Sequence, residues 1–205
     1  IQLENFRQFF GETPPIKFST EGNMVTVIHG INGAGKTALL NAFTWSLYGS
    51  FTRGFQLSDQ LINKRAIREA TDGERVQARV LLEFDHGGRN YRLEVSTDGV
   101  KTSEDSVSVS NARQVTLHWS SDNGTWHSAP NAKDVIARVL SEDLHSYFFF
   151  DGERIERIVS PSSEEKADLS KATRRLLGVL VIERAEQHLN DAKKEFEREL
   201  KNVGD

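Results

Sequence analysis

An α/β fold is predicted for this 205-residue chain by three observations. Gly30-Ile31-Asn32-Gly33-Ala34-Gly35-Lys36-Thr37 fits G-x-x-x-x-G-K-[ST] at every fixed position. The apolar run Met24-Val25-Thr26-Val27-Ile28 precedes that loop, and an apolar-periodic segment, 38–48, follows it. From Glu74 onward the pattern becomes two-residue alternation, the signature of antiparallel hairpins. A strand-loop-helix setting makes the glycine-rich stretch a phosphate-binding loop, with a nucleoside triphosphate as its expected ligand.

Each residue type in the loop has a physical reason. Gly33 and Gly35 let the backbone turn without Cβ clashes, so that amides from Asn32, Gly33, Ala34, Gly35, Lys36, Thr37 and Ala38 point inward at phosphate. The helix starting near Lys36 adds its positive dipole end. Lys36 is a mobile point charge for the β and γ phosphates, and the Thr37 hydroxyl is placed to ligate Mg²⁺.

The remaining elements read in order. Ile1-Gln2-Leu3 and Ile16-Lys17-Phe18 alternate as strands around a Gly11-to-Pro15 turn, and 24–28 reads as a buried strand. The helix after the loop places Leu39, Leu40, Phe43, Ser46 and Leu47 at core spacing and stops at Gly49, with Trp45 and Tyr48 read as packing. A short helix is expected around 57–70, with Arg65 and Arg68 on a solvated face. Val76, Ala78, Val80, Leu82 and Phe84, then a turn at 85–88, then Tyr91, Leu93 and Val95 form one hairpin. A second follows, with Val107 and Val109 in a lead strand, then Val115, Leu117 and Trp119, a turn at 122–124, and Trp126. His118 and His127 flank that turn without metal-ligand spacing. Residues 131–144 read as a helix opened by an Asn131/Asp134 capping arrangement, leading into Tyr147-Phe148-Phe149-Phe150 as a buried strand. From about 170 to 203 a charged helix carries Ile182, Leu189, Phe196 and Val203 at one heptad position and Ala185 and Ala192 at another, with Glu199 breaking the series.

Composition narrows the function classes. With no cysteine, disulfides, thiolate metal sites and cysteine nucleophiles are excluded. No apolar run approaches the ~20 residues of a membrane-spanning helix, so a soluble, cytoplasmic protein is expected. Net charge is −4, which provides no global electrostatic case for nucleic acid and leaves DNA contact to a local patch or an assembled dimer. The chain opens on Ile1 and closes in a helical pattern, as expected of a fragment of something longer.

The loop alone does not choose among kinases, GTPases and ABC-type ATPases. No Asn-Lys-x-Asp guanine motif is present, and the hairpin layer is not the βα repeat of a small-molecule kinase. The hairpin insertion, the β-rich start and the emerging coiled coil resemble the amino-terminal half of an SMC-like ABC ATPase head. Leu3-Glu4-Asn5-Phe6-Arg7-Gln8-Phe9 is similar to that family's Asn-Phe-Arg element, which implies that Arg7 approaches the nucleotide. Residues 30–40 are similar to its G-x-N-G-A-G-K-T-[ST]-L-L loop, with Ala38 where a hydroxyl residue is common. The segment 147–155 takes the place of the Q-loop, with Asp151 where most ABC proteins carry glutamine. Phe148-Phe149-Phe150-Asp151-Gly152-Glu153-Arg154-Ile155 most resembles the DndD family, the SMC-like ATPase of DNA phosphorothioation systems.

That resemblance implies ATP and Mg²⁺ as ligands, Lys36 and Asp151 as catalytic groups, and Thr37 with Asp151 as metal ligands. It also implies an N-terminal lobe over 1–165 and the base of a coiled-coil arm over 166–205. Walker B, the Leu-Ser-Gly-Gly-like capping sequence and the switch histidine are missing; Leu81-Leu82-Glu83-Phe84-Asp85 imitates Walker B but reads as hairpin strand. Those motifs belong to a carboxy-terminal lobe, so the fragment alone is expected to be inactive or weak. The implied partners are that lobe, a second head in an ATP-dependent homodimer, DNA and other DNA-modification subunits. Two rivals stand beside this: an SMC-like ATPase of repair or phage defence regulating a nuclease, and a nonhydrolysing dimerisation scaffold.

Overall fold

A computed structural model describes residues 1–20, 22, 24–51, 61–109, 113–121, 124–142, 145–149, 185–186, 188–190 and 192–193. The chain divides into two compact units, Ile1–Asp151 and Gly152–Asp205.

The alternating segment folds as read. Strands β2 (Arg75–His86) and β3 (Arg89–Ser103) form an antiparallel hairpin in register from Arg75↔Val100 to His86↔Arg89, closed by Gly87-Gly88. Strand β1 (Gln2–Glu4) lines the outer edge of β2. The 15 residues of β3 carry two neighbours on their other side: β5 (Gln114–Ser120) along the first half and β4 (Ser106–Val109) along the end. The expected lead strand thus turns back onto β3, and β5 makes its own hairpin with β6 (Trp126–Ser128). The resulting order is β1-β2-β3-β5-β6, with every pairing antiparallel.

Alternation sorts this sheet into two chemically distinct faces. Val76, Ala78, Val80 and Leu82 on β2 join Leu93 and Val95 on β3 and Leu117 on β5 in one buried face. Helix α1 (Lys36–Tyr48) contributes Leu39, Ala42 and Trp45 to the same core, where Trp45 meets Phe6 with ring centroids 5.4 Å apart. The other face carries ion pairs, Arg79 with Glu4 at 2.8 Å and Glu12 at 2.9 Å, and Arg92 with Glu83 at 2.8 Å. A buried Leu or Val stabilises by about 1.5–3 kcal/mol, against ~0–1 kcal/mol for a surface ion pair. The apolar face therefore holds the sheet to the helix. Gly99 on β3 is required by close approach, since a Cβ there would lie 2.9 Å from both Ile62 Cδ1 and Val107 Cβ.

Helix α2 (Lys64–Glu69) starts where Asn63 Oδ1 accepts from the amides of Arg65 at 2.9 Å and Ala66 at 3.2 Å. Of the rest of the expected helix over 57–70, residues 57–60 lie outside the described residues and 61–63 are not helical. Arg65 and Arg68 pair with Glu69 at 2.7 Å and Asp105 at 2.5 Å, as a solvated face should. Helix α3 (Ala132–Val139) is shorter than the 131–144 expected; the Asn131 side chain donates to the Asp134 carboxylate instead of capping an amide.

Three expected strands are corrected. Residues 16–18 form none: Ile1 and Ile16 exchange backbone hydrogen bonds at 2.8 and 2.9 Å, but Pro14 and Pro15 supply no amide to extend the ladder. Residues 24–28 form none either, and Met24 and Val27 are 72% and 83% exposed. A buried strand needs neighbours on both edges and cover on both faces, and the described residues supply neither. Residues 147 and 148 belong to a helical turn, α4 (His145–Phe148), continued by Phe149 N–H donating to His145 O at 2.7 Å. A short apolar run has no period that separates strand from helix. Of the heptad residues, Ala185, Leu189 and Ala192 are helical and exposed; Ile182, Phe196, Glu199 and Val203 lie outside the described residues.

Candidate nucleotide-binding site

The loop residues enter α1 through a left-handed step. Gly33 and Gly35 have φ of 83° and 101°, and Gly35 is the residue from which α1 departs. A side chain at Gly35 would be strained by that φ and would also strike Phe9, whose Cζ lies 3.1 Å from the Cβ position. At Gly33 a Cβ would meet nothing within 4 Å, so the cradle is open there. The Lys36 ammonium donates to the carbonyls of Gly30 at 2.7 Å and Ile31 at 2.9 Å, which tethers the cation across the loop. Asn32, Gly33, Ala34, Lys36 and Thr37 are exposed; Ala38 turns into the core. Buried Asn41 donates to Thr37 O at 2.8 Å and steadies the first turn.

The residues that follow the Asn5-Phe6-Arg7 element, Gln8 and Phe9, lie against Gly35 of this loop. Asn5 and Arg7 both have positive φ, 45° and 54°, a backbone that costs about 1–3 kcal/mol per residue unless over-determined. Here it is. Asn5 Oδ1 accepts from Gly11 N–H at 2.9 Å, Arg7 N–H donates to Leu61 O at 2.7 Å, and Asn63 Nδ2 donates to Arg7 O at 2.5 Å. Phe6 is fully buried between these turns, and the chain then delivers Phe9 onto Gly35. Sequence reasoning missed both Phe9 and Asn63. Asn before a basic, helix-forming run was a readable cap signal, whereas no local pattern reports a ring lying on a loop 26 residues away.

Asp151 lies outside the described residues, as do Phe150 and the segment 152–155. Its neighbour Phe149 stacks on Phe43 of α1, centroids 5.9 Å apart and planes 19° apart, and Phe43 also meets Phe18 edge-on at 5.5 Å. His127 stacks on Trp119 at 4.6 Å, and no cluster of metal-ligating side chains occurs among the described residues. No helix among them is long and apolar enough to cross a membrane.

An open glycine cradle, a lysine tethered over it and an exposed threonine at the start of a buried helix define a P-loop nucleotide-binding protein. A family profile described as an AAA domain matches residues 1–203, and the chain belongs to that family. Its mixed α/β fold, a phosphate loop leading into α1 beside an antiparallel sheet, agrees with the fold class the sequence predicts. Among curated proteins it is similar to the DNA double-strand break repair Rad50 ATPase of Methanosarcina mazei, 32% identical over 117 residues, 56% of this chain and 9% of that protein. The probable DNA double-strand break repair Rad50 ATPase of Aquifex aeolicus is 38% identical over 69 residues, 33% of this chain and 6% of that protein. The Halobacterium salinarum Rad50 ATPase is likewise 38% identical over 69 residues, 34% of this chain and 7% of that protein. The chain thus spans less than a tenth of the length of these relatives. A solved SMC ATPase structure, from work on ATP-driven dimerization and DNA-stimulated activation, aligns at 18% identity and a TM-score of 0.47, covering 83% of this chain and 95% of that one.

Proposed function

We propose that this chain is the ATP-binding half of an SMC-like ABC ATPase that acts on DNA. The observation that carries the reading is the Lys36 ammonium held by the Gly30 and Ile31 carbonyls above an open glycine cradle. A cation fixed there meets the negative charge of the β and γ phosphates without reorganisation, which is the electrostatic core of phosphoryl transfer. Thr37 and Asp151 are the hard-oxygen groups that would hold Mg²⁺, which neutralises charge across the phosphate oxygens. Arg7 and the loop amides complete the nucleotide contacts in this reading.

Chain geometry supports the role of Asp151. It follows Phe149 by two positions, and Phe149 stacks on Phe43 of α1, the helix that begins at Lys36. The exposed apolar run at 24–28 supports completion of the site by a carboxy-terminal lobe, which would add strands beside it along with Walker B and the capping sequence. ATP bound on one head and capped by a second gives an ATP-dependent dimer; hydrolysis releases it, and the helical arm carries the change to DNA.

Within that class the Phe-Phe-Phe-Asp-Gly-Glu segment favours DNA phosphorothioate modification, with other modification subunits as partners and a cytoplasmic location. A second reading, DNA repair, is favoured by the names of the Rad50 relatives. ATP turnover by the full-length protein, with and without DNA, tests the class: hydrolysis that Lys36→Ala removes supports it, and no hydrolysis under either condition replaces it with a nucleotide-dependent scaffold. Mass spectrometry of nuclease-digested DNA from a deletion strain separates the pathways, since only the modification reading expects loss of sulfur-bearing linkages.

A further inference from the structure

At the end of α1 remote from the phosphate loop, the protein encloses a cavity of about 330 Å³ between that helix, β5 and α3. Leu47, Val115 and Ile136 give it apolar walls, and Arg113, Lys133 and Glu142 give it charge. Arg113 is the unusual member. It is partly buried, it donates through Nη2 to Ser46 O at 2.5 Å, and its Nε is buried with no hydrogen-bond partner. No carboxylate forms an ion pair with it among the described residues, and burial pulls its pKa below the ordinary arginine value. A buried guanidinium Nε left without an acceptor among the described residues, beside a cavity, calls for an explanation, because an unsatisfied buried donor costs about 1–3 kcal/mol.

We infer that this cavity is a binding site for a small organic monocarboxylate with a compact apolar body. Charge balance selects the ligand class: among the described residues two cations and one carboxylate line the site, a net of one positive charge that suits a single carboxylate and disfavours polyphosphate. Size agrees, since the volume lies at the lower end of the roughly 300–1,000 Å³ typical of small-molecule pockets. The carboxylate pairs with Arg113 and Lys133 while the body rests on Leu47, Val115 and Ile136. Tyr48, also in the lining, is already committed, its hydroxyl donating to Leu140 O at 3.0 Å. The site is independent of the nucleotide assignment, being at the opposite end of the helix.

The test titrates the full-length protein with 2-naphthoate and its neutral isostere 2-naphthamide by calorimetry and thermal shift. Naphthoate is expected to bind at least tenfold more tightly than the amide. Exposed Lys133 and Glu142 can be neutralised without disturbing the core: Lys133→Gln should weaken naphthoate about two- to five-fold and Glu142→Gln should tighten it by a similar factor, the size expected of single partly exposed charges. Arg113→Met, which also removes the bond to Ser46, should abolish the preference for acid over amide. Equal affinity for acid and amide, no binding of either, or a preference unmoved by both Lys133→Gln and Glu142→Gln overturns the inference.

Discussion

The β2–β3 hairpin and the run at 24–28 are both apolar and β-branched, yet one is the centre of the core and the other lies exposed. The hairpin's partner is its own continuation: two glycines after His86 the chain returns as β3, and each residue from Arg75 to His86 finds its mate within 25 positions. The run at 24–28 finds no such mate among the described residues. Its residues carry the hydrophobicity of a buried strand, while Met24, Val25, Val27 and Ile28 remain exposed. Hydrophobic pattern reports what a segment needs; whether the need is met depends on a strand that can be far away in the chain or beyond it.

That contrast can be broken experimentally, and the sharpest lever is the loop the exposed run feeds. Lys36→Ala in the full-length protein is expected to lower ATP affinity by at least a hundredfold in equilibrium titration, because it removes the tethered cation and leaves the cradle amides alone to face the phosphates. Unchanged affinity would remove the nucleotide site from this loop. Next in size, Leu93→Ala in the fully buried centre of β3 should cost about 2–5 kcal/mol by denaturant unfolding. Val27→Ala in this chain by itself should stay within about 0.5 kcal/mol, as surface substitutions do. If the carboxy-terminal lobe covers 24–28, the same Val27→Ala in the full-length protein should rise towards the Leu93 value; equal small effects in both would show that nothing covers the run.

Gly99→Ala sharpens the hairpin side. Its Cβ would press on Ile62 and Val107 at 2.9 Å, and overpacking of this kind costs about 1–3 kcal/mol. Below Gly99→Ala comes Tyr48→Phe, at about 1 kcal/mol for the hydrogen bond to Leu140 O. Burial, with a smaller contribution from the Glu142 carboxylate, pushes the Tyr48 hydroxyl from 10.0 up to about 12. The phenol is raised in the folded state, so its contribution is complete below pH 10 and is lost as pH climbs towards 12. Wild type and Tyr48→Phe should therefore converge in stability across that window, and a constant difference would show that the phenol does not titrate there.

The site shows the same division as the fold. The phosphate loop was legible because eight consecutive residues carry its chemistry, and helix α1 and the hairpins were legible because their periods are local. Phe9 on Gly35, Asn63 on Arg7 and Phe149 on Phe43 were not, since each joins segments 26 or more residues apart with no shared pattern. Asn131 shows that even a local signal can be redirected, its side chain preferring Asp134 to the helix amides.

What residues alone determined is therefore the phosphate-loop motif and the alternating sheet, because both follow from spacing within a single turn or hairpin. Tertiary structure decided which apolar runs are covered, that 145–148 coils rather than extends, and that Asn5 and Arg7 sit in left-handed backbone. The physical reason is common to all three: burial and strain depend on atoms contributed by distant segments, whose arrival no local period encodes.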